Sequence, residues 1–179
     1  MNGANRPWSV PIRLDEVPET GRHMDIAADG GVRAAVATTA GVNEVPELAA
    51  AFDVARHGRD GLRVVGTVSA RVRQTCVVTL DPVENEIEEQ IDLVFVPASA
   101  LGAVGSELNL GGEAVEPPEA MVDGVVDLGA VAIEFLVLGI DPYPRKPGVV
   151  FEPPQSADAG SHPFAALAAL RSGRDRGRN

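Results

Sequence analysis

The chain is 179 residues long, with a formal net charge of -11, 45% hydrophobic residues and one cysteine. That length accommodates one domain of about 130 to 150 residues plus tails, large enough for a self-sufficient core. A single cysteine excludes an internal disulfide framework, and with three scattered histidines it makes a four-ligand zinc site implausible, so no metal or other cofactor is expected.

The opening residues, MNGANRPWSVPIR, hold no apolar run of signal-peptide type, which predicts a cytoplasmic chain. Trp8, Val10, Ile12 and Leu14 alternate onto one side, the pattern of an opening strand, and Pro11 assigns it to a sheet edge. After a turn-rich stretch at 15–21, residues 22–28 predict a second short strand with Met24 and Ile26 inward. Gly30 and Gly31 then break the chain, and residues 32–38 predict another strand. At 43–57, Val45, Leu48, Ala49 and Phe52 fall at the i, i+3, i+4, i+7 spacing of a helix. Asn43 would be its N-cap, Pro46 would sit in the first turn, and Gly58 would stop it.

The clearest pattern runs from 61 to 97. Leu62, Val64, Gly66, Val68, Ala70 and Val72 share one parity, while Arg63, Thr67, Ser69, Arg71 and Arg73 take the other. Ile87, Ile91, Leu93 and Phe95 repeat the pattern against Glu86, Glu88, Gln90 and Asp92, with Glu89 the one polar residue on the apolar side. A period of two in both arms predicts a long hairpin with one dry face, turning at Asp81-Pro82. Residues 99–118 contain glycines and little periodicity and predict a surface loop, and 119–126 predict a further strand. Asp127 offers an N-cap to a helix at 128–139 that is apolar apart from Glu134, hence buried on most sides. It is too short, and too interrupted by charge, to cross a membrane. Pro142, Pro144 and Pro147 end it.

Residues 151–179 change character, from a Pro, Ser and Asp rich linker to a short helical patch, PFAALAAL, and an arginine-rich tail. They read as a flexible appendage to a domain at 1–150, with Phe164 and Leu167 as candidate partner-docking residues. The fold class expected is α+β: a twisted antiparallel sheet, barrel-like if its edges meet, built on the long hairpin and covered by helices at 43–57 and 128–139.

The run Gln74-Thr75-Cys76-Val77-Val78-Thr79-Leu80-Asp81-Pro82-Val83, followed by an acidic strand ending in Phe95-Val96-Pro97, resembles the YceD family, the large ribosomal RNA subunit accumulation proteins. A second block agrees: Asp127-Leu128-Gly129, Glu134, residues 136–138 and Asp141-Pro142-Tyr143-Pro144. Many members carry Cys-x-Arg-Cys-Leu where this chain has Cys76-Val77-Val78-Thr79-Leu80, so a role for a cysteine pair has no support here. The resemblance implies a bacterial, non-catalytic factor that supports synthesis, processing or stability of large-subunit ribosomal RNA, and so ribosome assembly. Its implied partner is a large-subunit pre-ribosomal particle or a ribosomal protein.

Charge constrains how such a role is performed. The last nine residues, RSGRDRGRN, carry a net +3, leaving the rest of the chain at -14. Such a body repels phosphate at long range, so direct RNA contact is expected to be weak and DNA binding is not expected. Arg63, Arg71 and Arg73, with Arg59 nearby, form the one basic strip of the body. They serve either as a phosphate contact or as ordinary cross-strand partners of Glu86, Glu88 or Asp92. Glu134, if buried, needs a partner, for which an arginine of 63–73 is the expected choice, or else it is a binding residue. Cys76 lies on the apolar parity and reads as a small buried hydrophobe. Two alternatives remain: an adaptor for a basic protein, and an enzyme of unknown reaction using Glu134, Cys76 and Arg71.

Overall fold

The computed structural model of the protein describes residues 6–104 and 117–151. The chain divides into two compact units, Met1–Pro147 and Gly148–Asn179, and the fold lies in the first. The expectations for 152–179, including Phe164, Leu167 and the arginine-rich tail, fall outside the described residues. So does most of the loop expected at 99–118.

Among the described residues seven strands and three α-helices follow one another: β1 (Pro11–Arg13), β2 (Arg22–Ala27), α1 (Gly30–Ala40), β3 (Glu44–His57), β4 (Gly61–Thr75), β5 (Pro82–Pro97), α2 (Ala98–Val104), β6 (Glu119–Met121), β7 (Val125–Asp127) and α3 (Leu128–Gly139). The main sheet has the order β2-β3-β4-β5-β6, antiparallel except for β6, which runs parallel to β5. A separate pair joins β1 to β7. This is the expected α+β class with an open sheet; β2 and β6 are its edges, and it does not close into a barrel.

The long hairpin forms as its alternation predicts. Leu62, Val64, Val68, Val72 and Ile91 are fully buried, and Arg63, Arg73, Glu86, Glu88 and Asp92 are exposed. Its turn lies elsewhere than expected. The chain reverses at residues 76–80, where Leu80 N–H donates to Cys76 O at 3.0 Å and Leu80 takes φ of 63°, and Pro82 already opens β5.

Two elements differ in kind from expectation. Residues 43–57 are not a helix but strand β3, in which Leu48, Ala50, Phe52 and Val54 point inward and Glu47 and Asp53 point out. A register shift between Glu44 and Glu47 turns Val45 inward as well, which produced a three-residue spacing that imitates a helix. Gly58, at φ of 61°, is the hairpin turn into β4. Conversely, residues 32–38 belong to helix α1. Asp29 caps it by accepting the Val32 N–H at 2.8 Å, and Gly41 ends it in the left-handed conformation at φ of 68°. Helix α1 packs on β3, so two helices do cover the sheet, but the first is α1 rather than 43–57.

The core lies under the helices, with α1 packed on β3 and α3 on β4 and β5. Phe52 stands opposite Gly66 of β4; a Cβ at Gly66 would collide with the Ala51 carbonyl oxygen and approach the Phe52 ring at 2.7 Å. The glycine is therefore what lets the ring lie against the sheet. The expected strand at 119–126 is two strands, β6 and β7, separated by a turn with positive φ at Asp123 and Gly124. Asp127 then does what its position predicts. Its Oδ1 accepts the Ala130 N–H at 3.3 Å as cap of α3 and the Val10 N–H at 2.8 Å, and its Oδ2 accepts the Ser9 hydroxyl at 2.9 Å. One carboxylate thus ties the entry strand to α3. No helix among the described residues is long and apolar enough to cross a membrane.

Candidate interaction face

The outward face of the main sheet gathers most of its charge. Rows across the strands are set by register: Glu44, Arg73 and Glu84; Glu47, Arg71 and Glu86; Ala27, Ala49, Ser69 and Glu88; Asp25, Ala51, Thr67 and Gln90; His23, Asp53, Val65 and Asp92. Small side chains floor the middle. A depression of about 340 Å³ lies over Ala49 and Ser69, between Glu47, Arg71, Glu86 and Glu88.

Each arginine of the strip has acidic partners. Arg63 grips Asp92 with two hydrogen bonds, at 2.9 and 2.6 Å. Arg71 reaches Glu47 at 3.2 Å, Glu84 at 3.5 Å and Glu86 at 3.6 Å. Arg73 bridges Glu84 at 2.9 Å and Glu44 at 2.6 Å. Hydrogen bonding to Asp92 raises the pKa of Arg63, and bonding to Glu84 and Glu44 raises that of Arg73. The Arg63 bonds in turn hold Asp92 below the usual carboxylate range. Side chains this exposed form pairs that contribute little to stability, on the order of 0 to 1 kcal/mol each. Electrostatically they matter more. Three guanidiniums stand among eight carboxylates, Asp25, Glu44, Glu47, Asp53, Glu84, Glu86, Glu88 and Asp92, so the face is strongly negative. The cross-strand role for the strip is the one these contacts fit.

Glu134 sits elsewhere. It is exposed on α3, at the rim of a cleft of about 660 Å³ whose lining includes Arg6, Leu93, Phe95, Glu119 and Asp127, and it makes no ion pair among the described residues. The expectation of a buried carboxylate held by an arginine of 63–73 is therefore overturned. Glu134 shares with Val137 and Leu138 the solvent side of α3, and Leu138 is 74% exposed. Cys76 lies at the tip of the β4–β5 hairpin and is fully buried. Its Sγ accepts the N–H groups of Val78, Thr79 and Lys146, each at 3.4 Å. The Thr79 hydroxyl, then the Lys146 and Thr79 N–H groups, bring the thiol pKa down to about 6 against the opposing effect of burial. Gln74, a buried polar side chain two residues before it, is satisfied by Asp141 O and Asn85 Nδ2. Glu134, Cys76 and Arg71 thus occupy three separate places, and the structure does not bring them together into one cleft. No group of three or more metal-binding side chains occurs among the described residues.

Of the acidic residues that β2 and β3 add to the face, Asp25 follows from the strand expected at 22–28 with Met24 and Ile26 inward, whereas Glu44, Glu47 and Asp53 do not follow from a helix at 43–57. The signal was present in Glu47, Ala49, Ala51 and Asp53 alternating with Leu48, Ala50, Phe52 and Val54.

What fold and face define is an α+β protein with an open, mainly antiparallel sheet, one side packed under helices and the other carrying a net negative, salt-bridged surface. The chain belongs to the YceD family: the model of the large ribosomal RNA subunit accumulation protein YceD matches residues 64–171, more than half of its length. That match holds the hairpin from Val64 onward, its Cys76 turn and α3. No curated protein and no solved structure matches the chain. The family's name connects it with accumulation of large-subunit ribosomal RNA.

Proposed function

We propose that this protein supports large-subunit ribosomal RNA accumulation without catalysing a reaction, by binding a basic protein of the pre-ribosomal particle in the cytoplasm, with naked RNA a weak ligand. The observation that carries this reading is the state of the arginine strip. Arg63, Arg71 and Arg73 are all engaged by carboxylates of their own sheet. A phosphate would have to displace those partners and enter a field of the wrong sign, whereas a lysine- or arginine-rich protein meets a complementary one.

The test is binding of the purified protein to large-subunit rRNA fragments and to pre-ribosomal particles across a salt titration. Particle binding with little affinity for the free fragments is the expected result, and Arg71→Ala with Arg73→Ala should leave it intact. Tight, sequence-selective binding to free RNA at physiological salt, lost in that double variant, would overturn the reading.

A further inference from the structure

Strand β5 is covered unequally on its two sides. Strand β4 pairs with it from Pro82 to Phe95, but β6 pairs only with Phe95, Val96 and Pro97. Among the described residues no strand pairs with the outer side of β5 from Pro82 to Val94. The direction of its backbone groups follows from one bond. Cys76 N–H donates to Asp81 O at 2.8 Å, which makes 76 and 81 a hydrogen-bonded pair. Along the same register the odd residues of β5 spend their N–H and C=O groups on β4. Glu84, Glu86, Glu88, Gln90, Asp92 and Val94 therefore aim theirs at the open side.

The charge of this strand selects what could pair there. PVENEIEEQIDLVFVP carries five carboxylates and no Lys or Arg. A second copy adding edge to edge would set these carboxylates against their own kind, which is destabilising and is a known means of protecting an exposed edge. A cationic segment meets no such barrier. Glu88 and Glu89 make no ion pair among the described residues, so they can receive its charges without displacing an arginine. The other exposed edge, β2, is six residues long and mixes Arg22 and His23 with Asp25, so it lacks this complementarity.

We propose that the outer edge of β5, from Glu84 to Val94, accepts an extended lysine- or arginine-rich segment of a partner protein as an added strand. Backbone bonds give the affinity and the carboxylates choose a cationic sequence. The proposal rests on the protein-partner reading above and specifies where and how that partner binds.

The test uses the full chain, isotopically labelled, and a synthetic ten-residue peptide of alternating lysine and valine. A second peptide with every backbone amide methylated keeps the charge and has no N–H left to donate to either side, so it loses the ladder. The first peptide should slow amide exchange at Glu84, Glu86, Glu88, Gln90 and Asp92 by about tenfold or more, with Val83, Ile87 and Ile91 unchanged. The methylated peptide should give no such protection, and Glu88→Lys should weaken binding severalfold while leaving the denaturation midpoint in place. Equal binding of both peptides, protection confined to β2, or no binding at low salt would overturn the proposal. So would slow exchange of the five amides in the free protein, since the chain itself or a second copy would then already fill the edge. If particles deliver a basic partner yet these amides stay unprotected in its presence, the edge proposal fails alone. If tight binding to free RNA is found instead, the functional reading fails with it.

Discussion

The two faces of one sheet are built from the same strands and obey opposite rules. On the inner face of β4, Leu62, Val64, Val68 and Val72 are fully buried and Gly66 makes room for Phe52; on the outer face of the same strand, Arg63, Arg71 and Arg73 lie half exposed among acids. Burying an aliphatic side chain contributes about 1.5 to 3 kcal/mol, against about 0 to 1 kcal/mol for an exposed ion pair. The inner face therefore sets stability, and the outer face can carry an excess of negative charge at little cost to it. That division leaves the charge of the outer face with little part in folding, as the proposed binding of a basic partner requires.

Substitutions on the two faces should differ accordingly. Phe52→Ala is expected to cost about 3 to 5 kcal/mol, as truncation of a fully buried phenylalanine does, with Phe95→Ala in the same range. Chemical denaturation measures both, and a loss below about 1 kcal/mol would mean that the inner face does not hold the sheet.

Asp127, in the separate β1–β7 pair, is a carboxylate with a structural task, tying the entry strand to α3. Burial pushes its pKa up, but the Val10 N–H, the Ser9 hydroxyl, the Ala130 N–H and Arg6 together hold it below the usual value of 3.8. Asp127→Ala should cost on the order of 0.5 to 2 kcal/mol at neutral pH, the range for a lost helix cap. Because the folded pKa is depressed, the stabilisation is present above the unfolded value of 3.8 and is lost as the pH falls through the folded one. The gap between wild type and Asp127→Asn should therefore narrow in acid, which denaturation midpoints at neutral pH and below pH 3.8 will measure.

Arg73→Ala is expected to cost less than about 1 kcal/mol, even though Arg73 bridges two carboxylates. Glu134→Gln should be smaller still, within about 0.5 kcal/mol, since the side chain is exposed and unpaired among the described residues. Thermal melts of the two variants beside Phe52→Ala would sharpen the contrast. A large loss in Arg73→Ala would erase it.

How much of this was legible follows from where charge alternates. In β4 and β5 nearly every second residue is charged or polar, so a period of two admits no rival, and both strands and their faces could be read. In β3 the run Ala49-Ala50-Ala51 fits either face, and the irregularity between Glu44 and Glu47 brings Val45 to the same side as Leu48. A bulge is a tertiary adjustment that leaves no mark in the residue pattern except one that mimics a helix. Helix α1 was missed for a different reason. It opens on Gly30 and Gly31, a pair that reads as a chain break, although Asp29 and Gly41 bracket its eleven residues with good caps. The candidate face is legible in part: its arginines, the carboxylates of β5 and Asp25 lie on strands whose alternation is plain, while Glu44, Glu47 and Asp53 lie on β3, where a helix is the competing pattern.

The pairing of β1 with β7 has a kinetic consequence. Strands β3, β4 and β5 follow one another through connections of three and six residues, while Ile12 finds Val126 only after more than a hundred residues have been made. Closing a loop of that size costs roughly 3 kcal/mol more than closing a tight turn. The central meander should therefore assemble early and the clasp around Asp127 last, with α3 settling onto a sheet already formed. A chain emerging from a ribosome would show its acidic outer face before its core is sealed.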